Sequence, residues 1–204
     1  MSGAREHWER TYRSKAETDV SWFQARPERS LALIQEAAPD FAAPIIDVGA
    51  GASRVVDVLL AAGYTDLTAL DISEAALART RARLGANAAR VEFITADITV
   101  WTPARHWRVW HDRAVFHFLI DRESQSAYLR ALTRATAPGS AVIIATFSLD
   151  GPERCSGLPV QRYSAETLAA RLGSGFRLEK HEAEQHTTPA GRAQAFNYAV
   201  FRRA

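Results

Sequence analysis

Ile45-Ile46-Asp47-Val48-Gly49-Ala50-Gly51-Ala52-Ser53 is the stretch whose reading decides the fold. The apolar run over Pro44 to Val48 predicts a buried strand, and Ser53 to Ala62 predicts a helix stopped by Gly63. Between them, Gly49 and Gly51 let the backbone turn tightly and approach a ligand with no Cβ in the way. In open parallel sheets, ligands bind beyond the carboxyl ends of the strands, where this loop must lie. Strand-to-helix turns also carry glycine for steric reasons alone, so the pattern needs support from the rest of the chain.

Outward from this loop, short strand-like runs alternate with longer helical ones, the signature of a mostly parallel sheet. Asp66 to Asp71 reads as the next strand, followed by a helix capped by Ser73, with Glu74 in its first turn and Gly85 at its end. Arg90 to Ala96 alternates apolar and polar residues and reads as a third strand, with Trp107 to Asp112 the fourth. Arg122 to Ala137 reads as a helix ended by Pro138 and Gly139. The fifth strand, Ala141 to Phe147, is almost wholly apolar and therefore central.

Upstream, Glu6 to Lys15 and Pro27 to Ala38 read as helices. After a loop rich in Gly and Pro, Ser164 caps a short helix over Ala165 to Leu172, and two strands follow, Phe176 to Gln185 and Ala193 to Phe201. Their connection, Thr187-Thr188-Pro189-Ala190-Gly191, is too short for a crossover helix, so they should pair antiparallel. The expected architecture is α/β, a Rossmann-like seven-stranded sheet, mostly parallel with a C-terminal antiparallel hairpin and helices on both faces. We expect one domain over residues 1–204, with 1–40 a helical, aromatic cap on a core of 41–204.

Composition narrows the partners. The 204 residues include 25 basic and 23 acidic side chains, and the arginines are scattered rather than blocked, which argues against nucleic acid. Cys155 is the sole cysteine, so no intrachain disulfide or cysteine-based metal site is expected, and a reducing cytoplasm is the natural compartment. The polar N-terminus is unlike a signal peptide, and no apolar run approaches the ~18 residues that span a bilayer. The six histidines lack paired ligand spacing, so no metal is expected.

Three features beyond the glycines point to one cofactor chemistry. A nicotinamide fingerprint needs a third glycine where Arg54 stands. Asp47, just before the glycines, repels a pyrophosphate and suits a ligand bearing an ammonium group. Asp71 ends the second strand, 20 residues beyond Gly51, where a carboxylate can accept both ribose hydroxyls. Asp97, in Ile94-Thr95-Ala96-Asp97-Ile98, lies at the same edge and can accept an adenine amino group with Ile98 against the base; a turn or helix cap is its other reading.

This pattern resembles the class I S-adenosylmethionine-dependent methyltransferase family. The resemblance implies S-adenosylmethionine as cofactor and S-adenosylhomocysteine as product. It places the methionine end near Gly49, Ala50 and Gly51, the ribose at Asp71 and Ile72, and the adenine at Asp97 and Ile98. Trp22, Asp47 and His111 join the expected cofactor contacts. Ser53 stands where many members carry another glycine, a departure that a helix cap tolerates.

Asp112 and Arg113 fall at the carboxyl end of the fourth strand, and an Asp-Arg before a small residue here, Ala114, resembles the thiopurine methyltransferase branch, which acts on small thiols and related soft nucleophiles. Three catalytic residues are expected. Asp112 would orient the nucleophile or take its proton, so that Asp112→Ala mainly lowers turnover. Arg113 would hold an acidic group, and His117 would serve as a base near neutral pH. The alternative is an internal Asp112–Arg113 ion pair with His117 packed in a helix.

Trp8, Tyr12, Trp22 and Phe23 precede the first strand and read either as an aromatic lid or as simple packing. The long loop from Phe147 to Tyr163 could shape a substrate pocket, with Cys155 not a nucleophile and His186 a solvated turn residue. The expected function is methyl transfer to a small-molecule thiol, amine or hydroxyl, with neither nucleic acid nor membrane as partner. A protein lysine methyltransferase, a non-catalytic cofactor-binding module and, third, a nicotinamide oxidoreductase are the alternatives.

Overall fold

The structure is a computed structural model and describes residues 2–204. Its elements in chain order are α1 (Ser2–Ser14), α2 (Glu28–Ala37), β1 (Ile45–Val48), α3 (Val55–Ala62), β2 (Leu67–Asp71), α4 (Glu74–Leu84), β3 (Val91–Thr95) and β4 (Trp107–Arg113). Then come α5 (Arg122–Ala135), β5 (Thr136–Phe147), β6 (Arg154–Cys155), β7 (Leu158–Pro159), α6 (Ala165–Leu172), β8 (Phe176–Thr187) and β9 (Ala193–Arg203).

Seven strands form one sheet in the order β3-β2-β1-β4-β5-β9-β8. The pairs from β3 to β5 are parallel, and β9 is antiparallel to both β5 and β8. This is the Rossmann-like sheet with a closing hairpin expected from the sequence. The strand order reverses between β1 and β4, which leaves a crevice beyond their carboxyl ends.

Strand alternation builds the two core layers. Ile143 and Ile144, adjacent on β5, lie in different clusters, one with Ile34 and Leu59 of α2 and α3, the other with Tyr128 and Leu168 of α5 and α6. The same alternation on β4 sends Val109 to the first layer and Trp110 to the second. It therefore separates the neighbours His111 and Asp112.

The capping signals act as read. Ser73 Oγ accepts from the Ala76 N–H at 3.2 Å, and Ser164 forms a reciprocal box with Thr167. Gly63 ends α3 with φ 103°, a conformation that favours glycine. One boundary differs. The backbone turns extended at Thr136, so β5 begins there and runs through Pro138 and Gly139, expected to end the helix. Ser140 Oγ donates to the Trp107 carbonyl and accepts from Ala137 N–H, which steadies the register shift opposite Trp107. A second difference is the β6–β7 hairpin inside the long loop, turned by Ser156 (φ 49°) and Gly157 (φ 78°). No helix among the described residues is long and apolar enough to cross a membrane.

Candidate active site

A cavity of about 310 Å³ lies in the crevice beyond the carboxyl ends of β1 to β4. Its wall includes Gly49, Asp71, Ile72, Asp97 and Ile98 together with Trp8, Tyr12, Trp22, Phe118 and Arg113. A smaller cavity of about 40 Å³ adjoins it, sharing Gly49, Trp22 and Arg113 and bringing in Asp47, Ala50 and His111. Most of the residues assigned to the cofactor from sequence thus border two touching cavities.

Asp71 is held by main-chain donors. Its Oδ2 accepts from Gly51 N–H and its Oδ1 from Ser73 N–H, each at 2.8 Å. Burial pushes its carboxyl up to about 6, the like charges of Asp47 and Glu9 push the same way, and the two hydrogen bonds oppose them. Gly51 therefore serves the site indirectly: it is absent from the cavity wall, and its amide fixes the acid. A Cβ on it would meet Tyr12 Oη at 2.3 Å, and one on Gly49 would meet Val115 Cγ2 at 1.9 Å. Both glycines have positive φ, so the loop depends on them sterically as well. Asp97 Oδ1 accepts from the Thr99 amide at 2.9 Å and hydroxyl at 2.7 Å, so its turn-forming role and its place on the cavity wall coexist.

Asp47 belongs to a buried line of three side chains. Its Oδ1 lies 2.7 Å from His111 Nδ1, and His111 Nε2 lies 2.9 Å from Ser30 Oγ on α2. Ser30 and His111 have no solvent exposure. Ser30 was not legible as a site residue because its partner stands on a strand 81 positions away.

The methyl-transfer end departs from the expectation. Asp112 faces α5 and has no exposure; it accepts from Val115 N–H at 2.8 Å, Phe116 N–H at 3.1 Å and Tyr128 O–H at 2.6 Å. Burial pushes its carboxyl up to about 6. It is not on the cavity wall, so neither the catalytic pair nor the internal Asp112–Arg113 ion pair forms; Asp112 instead anchors the turn that carries Val115 and Phe118. Arg113 does reach the cavity. Its Nε donates to Tyr198 Oη at 2.9 Å, its Nη1 donates to the Trp22 carbonyl at 3.1 Å, its guanidinium lies over the Phe196 ring, and Glu184 stands 3.9 Å away. It therefore ties the Trp22 segment to the β8–β9 hairpin. Ala114, between this strand and the turn, has φ 73°, a conformation that penalises bulky side chains.

His117 is corrected too. It is fully buried and off the cavity wall, with Nδ1 accepting from Phe147 N–H at 3.4 Å. Burial, helped by the Arg113 charge, pushes it down to about 3, so it is neutral where a base would titrate. His186 is buried rather than solvated, with Nε2 2.8 Å from the Ser21 carbonyl. Cys155 lines the cavity, and burial pushes its thiol up to about 11.

The sequence reading also missed Glu9. Its Oε1 accepts from Glu74 N–H at 2.6 Å and Ala75 N–H at 3.3 Å, docking α1 on the start of α4. An acid in the middle of an amphipathic helix carries no signal of such a partner. Its placement sets Trp8 and Tyr12 over the crevice.

The donor set fits a cationic nucleoside better than a phosphorylated one. Carboxylates of Asp47, Asp71 and Asp97 occupy successive strand ends, and the loop amide of Gly51 is already spent on Asp71. Residues 45–139 match the family described as a methyltransferase domain. A mouse protein named eEF1A lysine and N-terminal methyltransferase is 25% identical over 201 residues, which is 98% of this chain and 28% of that protein. The chain thus spans about a quarter of the length of that curated relative.

Among solved structures, one described as the conversion of a disulfide bond into a thioacetal group during echinomycin biosynthesis has a TM-score of 0.76 at 21% identity, covering 98% of this chain and 92% of that one. The Burkholderia thailandensis 1,6-didemethyltoxoflavin-N1-methyltransferase, bound to 1,6-didemethyltoxoflavin and S-adenosylhomocysteine, has a TM-score of 0.71 at 17% identity, covering 100% and 85%. The chain shares the fold of these two solved structures. Residues 45–139 thus carry a methyltransferase-domain match on a fold shared with a structure that binds S-adenosylhomocysteine.

Proposed function

We propose that the chain methylates a small-molecule nucleophile held in the ring-lined part of the 310 Å³ cavity. The observation that carries this reading is the make-up of the cavity wall: the carboxylates of Asp71 and Asp97 and the rings of Trp8, Trp22 and Phe118 line one cavity. Asp71 would accept the ribose hydroxyls, and Asp97 and Ile98 would hold the adenine. Asp47, aligned by His111 and Ser30, would face the ammonium group, with Gly49 and Ala50 beside it. When bound, S-adenosylmethionine supplies a methyl group on a sulfonium; transfer breaks that carbon–sulfur bond, leaves a neutral thioether and joins the methyl to the acceptor.

The chain contributes position and dryness. Val115, fixed by Asp112, packs on Gly49, and the aromatic residues exclude water from the acceptor. With His117 and Asp112 off the wall, the acceptor arrives ionised. That favours an acidic nucleophile, the direction of the thiopurine branch whose Asp-Arg pattern the chain shares. A protein acceptor is the second reading, favoured by the mouse relative that matches 98% of this chain. Incubation with methyl-labelled cofactor and a cell lysate separates them: label is expected in the low-mass fraction, and label on protein alone overturns the proposal.

The raised carboxyl of Asp71 gives the site a pH signature. Above about 6 the group is ionised and accepts hydroxyl protons; below it, protonation removes that acceptor. Affinity for S-adenosylhomocysteine is therefore expected to fall as pH drops from 7 to 5, read by calorimetry, and Asp71→Asn should flatten the dependence. For folding the sign is opposite. A carboxyl raised above its ordinary value binds its proton more tightly when folded, so this group's stabilisation is present in acid and is lost as pH rises through about 6.

A further inference from the structure

Three rings from three separate parts of the chain meet on the wall of the cavity. Trp8 on α1 stands edge-on to Trp22, with centroids 5.7 Å apart and planes at 81°, and edge-on to Phe118, at 5.1 Å and 76°. All three are only partly buried and all line the cavity, so ring surface faces it. Their supports are fixed: Glu9 docks α1, Arg113 holds the Trp22 carbonyl, and Asp112 anchors the turn before Phe118. His7 Nε2, one residue from Trp8, lies 3.3 Å from Ser156 Oγ of the β6–β7 turn.

We infer that the acceptor is a flat aromatic or heteroaromatic molecule, seated against the Trp8, Trp22 and Phe118 rings with its nucleophilic atom turned toward Gly49. This rests on the proposed methyl transfer to a small molecule and names its substrate class. Rings held in edge-to-face array offer a ligand ring both faces and edges, and such pairs gain beyond the area they bury. A rigid wall also loses little freedom on binding. The Arg113 guanidinium adjoins Trp22, and Cys155 and Leu158 share the same cavity wall.

The test uses the full chain saturated with S-adenosylhomocysteine and two ligands, naphthalen-2-ylmethanol and its fully saturated decahydro analogue. The methylene insulates the hydroxyl, so the pair differs in π character at nearly equal bulk. By calorimetry the aromatic ligand is expected to bind about tenfold tighter. Trp8→Leu and, separately, Phe118→Leu keep apolar bulk and should each reduce that ratio to about threefold or less, with affinity for S-adenosylhomocysteine unchanged. If one variant fails to fold, the other carries the comparison. Equal binding of the two ligands, preference for the saturated one, or binding of neither by cofactor-loaded protein overturns the inference. Because binding is read without turnover, failure here is distinct from labelled methyl appearing only on protein, which overturns the broader proposal instead.

Discussion

Asp71→Ala is expected to weaken S-adenosylhomocysteine binding by about a hundredfold. Hydrogen bonds to a charged acceptor are worth ~1.5–3 kcal/mol each, and losing the two proposed to the ribose would remove at least ~3 kcal/mol, which converts to that factor. The substitution also orphans the Gly51 and Ser73 amides that the carboxylate now holds at 2.8 Å, loosening the glycine loop itself. Asp71→Asn separates these effects, since its side-chain oxygen still accepts from one amide while the charge is gone. Calorimetry on both variants settles the matter: undiminished affinity in the alanine variant removes the ribose from this residue.

Asp112→Ala is expected to cost the fold rather than the chemistry. Three donors converge on this carboxylate, the part-buried Val115 amide and the buried Phe116 amide and Tyr128 hydroxyl, and stripping the acceptor leaves them without it. Unsatisfied buried groups cost ~1–3 kcal/mol each, so a loss of about 3–5 kcal/mol is expected in urea unfolding. Turnover per folded molecule should fall only as far as Val115 and Phe118 shift. A stable variant with turnover abolished would restore the direct chemical role read from the sequence.

Those two aspartates differ in what the sequence alone says of their surroundings. Asp71 could be placed at the crevice because a strand end, a glycine loop and a spacing of 20 residues all lie on one stretch of chain. The sheet itself was legible for the same reason, each strand and cap being announced locally. Asp112 was misread because it stands beside Arg113 in sequence, whereas a strand sends neighbours to opposite faces. Counting by twos from Trp110 would have put Asp112 with the α5 layer, and His111 and Arg113 with the other. His117 failed differently: nothing in Phe116-His117-Phe118 says that a turn will seal the imidazole from solvent. Contacts such as Glu9 on α4 or Ser30 on His111 join distant segments and are absent from any local pattern. The β6–β7 turn, by contrast, was available in the Ser156-Gly157 pair and was passed over.

The Asp47, His111 and Ser30 line has the connectivity by which serine hydrolases activate their hydroxyl, yet here the hydroxyl end lies within the protein interior. A fluorophosphonate reagent should therefore leave Ser30 unlabelled in the folded protein. Hydrolytic chemistry demands that an electrophile reach the oxygen, and this hydroxyl serves as mortar between a helix and two strands.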